Sequence, residues 1–103
     1  MYVAMNRFAV AAGQEQAFEA LWLERNSQLD DLEGFEAFHM LKGTTAADGT
    51  RLYISSSTWA SEAAFRAWTR SEAFRAAHKD VGAHAELYQG PPVFEGFDVI
   101  QTL

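Results

Sequence analysis

Cysteine is absent from this 103-residue chain. Disulfides, thiolate metal ligands and thiol nucleophiles are therefore excluded, and the redox compartment is left open. Proline is almost absent too: the two prolines, Pro91 and Pro92, are adjacent and can interrupt regular structure at one place only. Positive charge is scarce. Eight Lys and Arg oppose fourteen Asp and Glu, giving a formal net charge of −6 and a pI of about 4.9. An acidic surface repels phosphate backbones and anionic headgroups, so neither nucleic acid nor a membrane is an expected partner. No apolar run approaches the roughly 18 residues of a membrane span. No basic segment followed by an apolar core marks a signal peptide, and a cytoplasmic protein is the expectation.

Apolar and aromatic residues are what the chain has in quantity. They make up 49% and 14% of it, with eight Phe, three Trp and three Tyr, against 21% charged residues. That balance belongs to a folded domain, and the length allows burial of roughly two-thirds of the surface exposed on unfolding. No linker or low-complexity stretch divides the chain, so residues 1–103 are read as a single domain.

Residues 2–10 read as a strand, with Tyr2, Ala4, Asn6, Phe8 and Val10 on one face and Val3, Met5 and Arg7 on the other. Gly13 precedes a helix whose stripe is Phe18, Leu21, Trp22, Arg25 and Leu29, and Gly34 is a suitable stop for it. Phe35–Leu41 and Leu52–Trp59 read as strands joined by a loop, Gly43–Thr50, that contains the hairpin signal Asp48-Gly49. Ser61 and Ser71 each cap a helix. Gly82–Pro92 is a loop, and Val93–Thr102 is the last strand. The order of elements is that of the α+β, ferredoxin-like split βαβ fold, a four-stranded antiparallel sheet with helices on one face. The strands carry apolar residues on both sides. A homodimer that packs two sheets face to face is the economical way to cover the second face.

Familiar catalytic signatures are missing: no G-x-G-x-x-G, Walker A, H-E-x-x-H or G-x-S-x-G occurs. His78 shares a helical face with Phe74, Ala77 and Val81. Spacing alone admits either a core histidine satisfied by backbone groups or an axial ligand to a haem iron. Asn6 interrupts the apolar face of the first strand, where its amide either bonds nearby backbone or points into a ligand pocket. Trp22, Phe65, Trp68 and Phe74 form helix faces that suit a core or the walls of a flat apolar site. His39 in mid-strand and His84 in a loop read as solvated or structural. Asp30, Asp31, Glu33 and Glu36 read as a solvated edge. The run Ser55–Thr58 has no histidine adjacent in sequence and supports no nucleophile.

The combination of Asn6 with Phe65-x-x-Trp68-x-x-Ser71-x-x-Phe74-x-x-Ala77-His78, together with Trp59-x-Ser61, Gly34-Phe35 and the ending Phe94-Glu95-Gly96-Phe97-Asp98-Val99-Ile100, resembles the IsdG-type haem-degrading monooxygenases. These belong to the antibiotic-biosynthesis monooxygenase superfamily. The ending and Trp68-Thr69-x-Ser71-Glu72 are most similar to the bacillus-type, HmoB-like members. The resemblance covers nearly the whole chain. It implies a dimeric α+β barrel, with one haem between the helices and the sheet of each subunit. His78 matches the proximal iron ligand, Asn6 the distal amide, and Trp68 the residue that presses the porphyrin out of plane. Trp22 matches an aromatic wall, and Arg25 lies where a basic residue reaches a propionate. Phe65 and Phe74 complete the haem contacts. The loop from Gly82 to Pro92 falls where relatives vary. Haem would be both cofactor and substrate, with O2 and an external reductant, either an electron-donor protein or a small molecule. Two other functions fit the same residues: a cofactor-independent monooxygenase of quinols or phenols, and a dimeric haem carrier or sensor.

Overall fold

The first strand, β1 (Tyr2–Val10), sets Tyr2, Ala4, Asn6, Phe8 and Val10 on one face and Val3, Met5, Arg7 and Ala9 on the other, by the period of 2 that a strand imposes. Tyr2, Ala4, Phe8 and Val10 are buried, whereas Arg7 on the opposite face is exposed. The computed structural model describes residues 1–24, 29–71 and 86–103. Within them follow α1 (Glu15–Glu24), a 3-10 turn (Leu29–Asp31), β2 (Phe35–Thr45), β3 (Arg51–Trp59), α2 (Glu62–Thr69) and β4 (Val93–Asp98). The sheet is antiparallel throughout, in the order β2-β3-β1-β4, as the ferredoxin-like split βαβ reading requires.

Several boundaries differ from those read in the sequence, each for a physical reason. β2 continues past Leu41 to Thr45, because a register shift between Lys42 and Thr45 lets the strand bulge and keep pairing with β3. Gly43 sits in that bulge, where a Cβ would come 3.1 Å from the Leu52 carbonyl oxygen and the Arg51 Nε donates to the Gly43 carbonyl at 2.6 Å. β4 ends at Asp98 rather than Thr102, because its partner β1 starts at Tyr2 and past that pair only the Val99 N–H still bonds, to the Met1 carbonyl at 3.0 Å. Leu29 lies in a 3-10 turn rather than in the first helix, yet it is buried in the core as its place in the stripe implied. Gly34 takes a φ of +84°, and a Cβ there would lie 2.5 Å from the Ala64 Cβ, so this turn approaches α2 as only glycine allows.

Ser61 is the N-cap of α2, its hydroxyl accepting from the Ala64 N–H at 3.1 Å. Ser71 closes the same helix, its hydroxyl donating to the Trp68 carbonyl at 2.6 Å. The helix expected after Ser71, with Phe74, Ala77, His78 and Val81, lies outside the described residues, as do Arg25 and His84.

Among the described residues the core forms two clusters on the helix-covered face. One gathers Tyr2, Ala4, Leu29 and Phe65 around the fully buried Trp59. The other joins Phe8, Val10, Phe18 and Tyr53. A buried aromatic ring of about 200 Å² contributes roughly 5 kcal/mol at ~25 cal/mol/Å², so rings such as Trp59 and Phe18 dominate the stability of each cluster.

α1 is tied to β3 by a polar link: the buried Tyr53 hydroxyl donates to the Glu19 carboxylate, which also pairs with Lys42 at 2.9 Å. Burial, and next the Glu19 hydrogen bond, pushes the Tyr53 phenol up to about 12. The same hydrogen bond, and next that from Lys42, holds Glu19 below the usual carboxylate range. A raised phenol pKa stabilises the fold fully below the unfolded value of about 10, and this contribution is lost as pH rises through the folded value. The lowered carboxylate contributes above its ordinary pKa and loses its effect as pH falls through the folded value. The stability gap between wild type and Tyr53→Phe is therefore expected to be widest near neutral pH and to shrink on both sides. Urea unfolding across a pH series measures it, and a gap unchanged from pH 9 to 12 would contradict the assignment.

Candidate active site

The covered face of β1 has one weak point. Along it Tyr2, Ala4, Phe8 and Val10 are buried, but Asn6 between them is only half-buried. The two core clusters lie on either side, and neither includes Asn6. Strand register sets what surrounds it. Opposite Asn6 stand Ser55 of β3 and Phe94 of β4, and Ser55 in turn opposes Met40 of β2. The next row holds Gly96, Ala4, Ser57 and Phe38. Small and polar side chains thus floor a slot in the middle of the sheet.

Flat aromatic faces rim this floor in stacked pairs. Trp68 of α2 lies on Trp59 at 5.4 Å between centroids and 27°. Phe65 stacks on Phe94 at 5.6 Å and 7°, and Trp22 of α1 on Phe38 at 6.0 Å and 14°. Phe38 and Phe94 stay 38% and 43% exposed although both share the helix-covered face, which keeps apolar ring surface available to a ligand. Floor and rim together suit a flat, largely apolar molecule that offers a polar centre to Asn6.

The structure brings Asn6, Trp22, Phe65 and Trp68 to this side of the sheet. Phe65 is the most deeply set, packed against Tyr2, Trp59, Trp68 and Phe94, so its main contact is the core itself. His78, Arg25 and Phe74 fall outside the described residues. His39 is exposed on the opposite face of the sheet, across from Ser56, and has no part in the slot. Asp30, Asp31, Glu33 and Glu36 lie at the surface, the solvated edge expected of them.

Sequence reasoning passed over the serines of β3. Ser55 and Ser57 are 6% and 8% exposed and face the helices. Ser57 serves the core: it accepts from the Trp59 Nε1–H at 2.9 Å and donates to the Ala4 carbonyl at 3.5 Å. Only the register of β3 against β1 shows that Ser55 sits beside Asn6, and no local sequence signal carries that information.

An apolar side chain at position 6 would join the two clusters, so the amide is held there at a cost to stability of about 1–3 kcal/mol if it finds no partner. Asn6→Leu is accordingly expected to raise the melting temperature of the ligand-free protein by a few degrees and to abolish ligand binding in the slot. Calorimetry paired with ligand titration checks both halves, and an Asn6→Leu variant that is less stable yet binds normally would refute the account.

Residues 1–80 match the family described as antibiotic biosynthesis monooxygenase. The heme oxygenase (staphylobilin-producing) of Staphylococcus haemolyticus is 30% identical over 80 residues, which span 78% of this chain and 75% of that protein. The enzyme of the same name from Staphylococcus saprophyticus is 32% identical over 79 residues, 77% of this chain and 74% of its own. Among solved structures, the heme degrader MhuD of Mycobacterium tuberculosis with two hemes bound superposes with a TM-score of 0.75 at 24% identity, covering 100% of this chain and 99% of that one. SnoaB, a cofactor-independent oxygenase from Streptomyces nogalater, gives 0.70 at 22% identity over 99% and 95% of the two chains. The structural likenesses establish the shared fold, and the match over residues 1–80 settles the family: the chain belongs to the antibiotic biosynthesis monooxygenases.

Proposed function

We propose that this protein is a haem-degrading monooxygenase, which takes haem as both cofactor and substrate, uses O2 and an external reductant, and releases iron and an open-chain tetrapyrrole. The observation that carries the reading is the Asn6 break in the covered face, floored by Ala4, Ser55 and Ser57 and rimmed by stacked aromatic pairs. It suits a flat macrocycle with a polar centre, and the staphylococcal relatives named as heme oxygenases support the choice of haem.

Bound haem would supply the iron that activates dioxygen and the ring that is opened. The chain's own residues bind, orient and bend. His78 is assigned as the proximal ligand. Asn6 would offer its amide N–H to the polar centre of the bound molecule, where charge develops. Trp68 presses on the ring, and the fully buried Trp59 stacked behind it keeps that wall from yielding. Such packing would hold the bound ring in one orientation. Trp22, Phe65 and Phe74 would supply ring contacts, and Arg25 a positive charge for a propionate.

The rival readings make different demands. A cofactor-independent oxygenase of quinols or phenols, as SnoaB is named to be cofactor-independent, needs no haem and gives no Soret shift. A haem carrier or sensor keeps its Soret band when reductant and oxygen are added. Absorption spectroscopy during anaerobic haem titration, followed by ascorbate and oxygen, separates all three. On the proposed reading wild type binds haem stoichiometrically and the band decays. Asn6→Ala retains haem and loses turnover, and His78→Ala loses the five-coordinate histidine spectrum or binds haem poorly. Full turnover by Asn6→Ala, or an unchanged Soret band in His78→Ala, would count against the respective assignment.

The face of the sheet away from the helices carries Leu41, Val93 and Phe97, which are 43%, 57% and 46% exposed. We assign this face to a second copy of the chain, consistent with packing of two such sheets face to face. Light scattering is expected to give twice the 11.5 kDa chain mass, and Phe97→Glu to return the monomer. A wild-type monomer at micromolar concentration would remove the assignment.

A further inference from the structure

Three consecutive serines in β3 have three different surroundings. Ser57 is bonded into the core through Trp59 and Ala4. Ser56 is equally buried but faces the other side of the sheet, opposite Met5 and His39. Ser55 faces the slot, directly across from Asn6. It is 6% exposed, and neither its hydroxyl nor the Asn6 amide is hydrogen-bonded to another described residue. Directly opposed side chains on one face have Cβ atoms about 5 Å apart, within reach of a hydrogen bond after a χ1 rotation.

We infer that Ser55 is a positioning residue of the slot: its hydroxyl accepts a hydrogen bond from the Asn6 amide and thereby decides which end of that amide faces the ligand. The inference rests on the haem-degrading reading of the slot. An asparagine side chain has two nearly isosteric ends of opposite polarity, an NH2 donor and a carbonyl acceptor. On an apolar floor nothing chooses between them. A serine hydroxyl carries two acceptor sites, so it can hold one amide N–H and leave the second aimed into the slot, while the amide carbonyl is turned away. The donor end then meets the polar centre of the ligand, which is the orientation the proposed role of Asn6 needs. Alanine at position 55 would leave the fold intact and remove the choice.

The test uses the full chain loaded with haem, comparing wild type, Ser55→Ala, Ser55→Thr and the matched control Ser56→Ala. The expected result has four parts. Ser55→Ala melts close to the wild-type temperature, because its hydroxyl makes no hydrogen bond to another described residue. It binds haem within twofold of wild type. The C–O stretch of its ferrous carbonyl complex, read by resonance Raman, moves upward as a distal donor is lost, and turnover falls about tenfold. Ser55→Thr restores both the stretch and the rate, and Ser56→Ala changes neither. An unchanged stretch and rate in Ser55→Ala overturns the inference alone. So does a melting temperature well below wild type, which would mark a structural hydroxyl. A wild-type chain that gives no Soret shift with haem removes the haem reading and this inference with it.

Discussion

The structure turns on an interruption. One face of β1 buries Tyr2, Ala4, Phe8 and Val10 but not Asn6, so the core of the described residues forms as two clusters. A polar amide in the middle of a covered strand weakens cohesion at that point, since neither cluster can close over it without leaving it unsatisfied. Each cluster is therefore made self-sufficient by large aromatics: Trp59 and Phe65 in one, Phe18 and Tyr53 in the other.

The same interruption makes the site. On the proposed reading the rings of the two clusters, with Phe38 and Phe94, wall the slot, so what stabilises the fold also fixes the distance and tilt of the aromatic faces. Trp68 owes its rigidity to Trp59, Phe94 to Phe65, and Trp22 to Phe8 and Phe38. Positioning of this kind needs packed side chains rather than loops. It also explains how members of one family can share a fold while their named activities differ. On the proposed reading the scaffold supplies a slot between helices and sheet, and the polar groups on its floor set what is bound there.

Much of the fold was legible in local patterns. Period-2 alternation located β1 to the residue, Asp48-Gly49 located the hairpin, and Ser61 located the start of α2. Where the structure departed from those patterns, the deciding factor was a neighbour. The extension of β2 depends on a bulge against β3, and the end of β4 on where β1 begins. On the site side, Asn6 stood out because it broke an apolar alternation, and Trp22, Phe65 and Trp68 because they fell on helix faces. Ser55 gave no sign: in the chain it is one of three identical neighbours.

The sequence by itself determined which side chains share a strand face, where α2 and the β2–β3 turn begin, and, through the Asn6 and Phe65–His78 pattern, the family. These are properties of periods of 2 and 3.6 and of single backbone positions, and they need no knowledge of distant residues. Only the tertiary structure decided that Ser55 rather than Ser56 lies beside Asn6, that Tyr53 meets Glu19, and that Trp68 rests on Trp59. The physical reason is strand register: a slip of one residue exchanges the two faces of a strand, and the choice is made by the packing of the whole sheet.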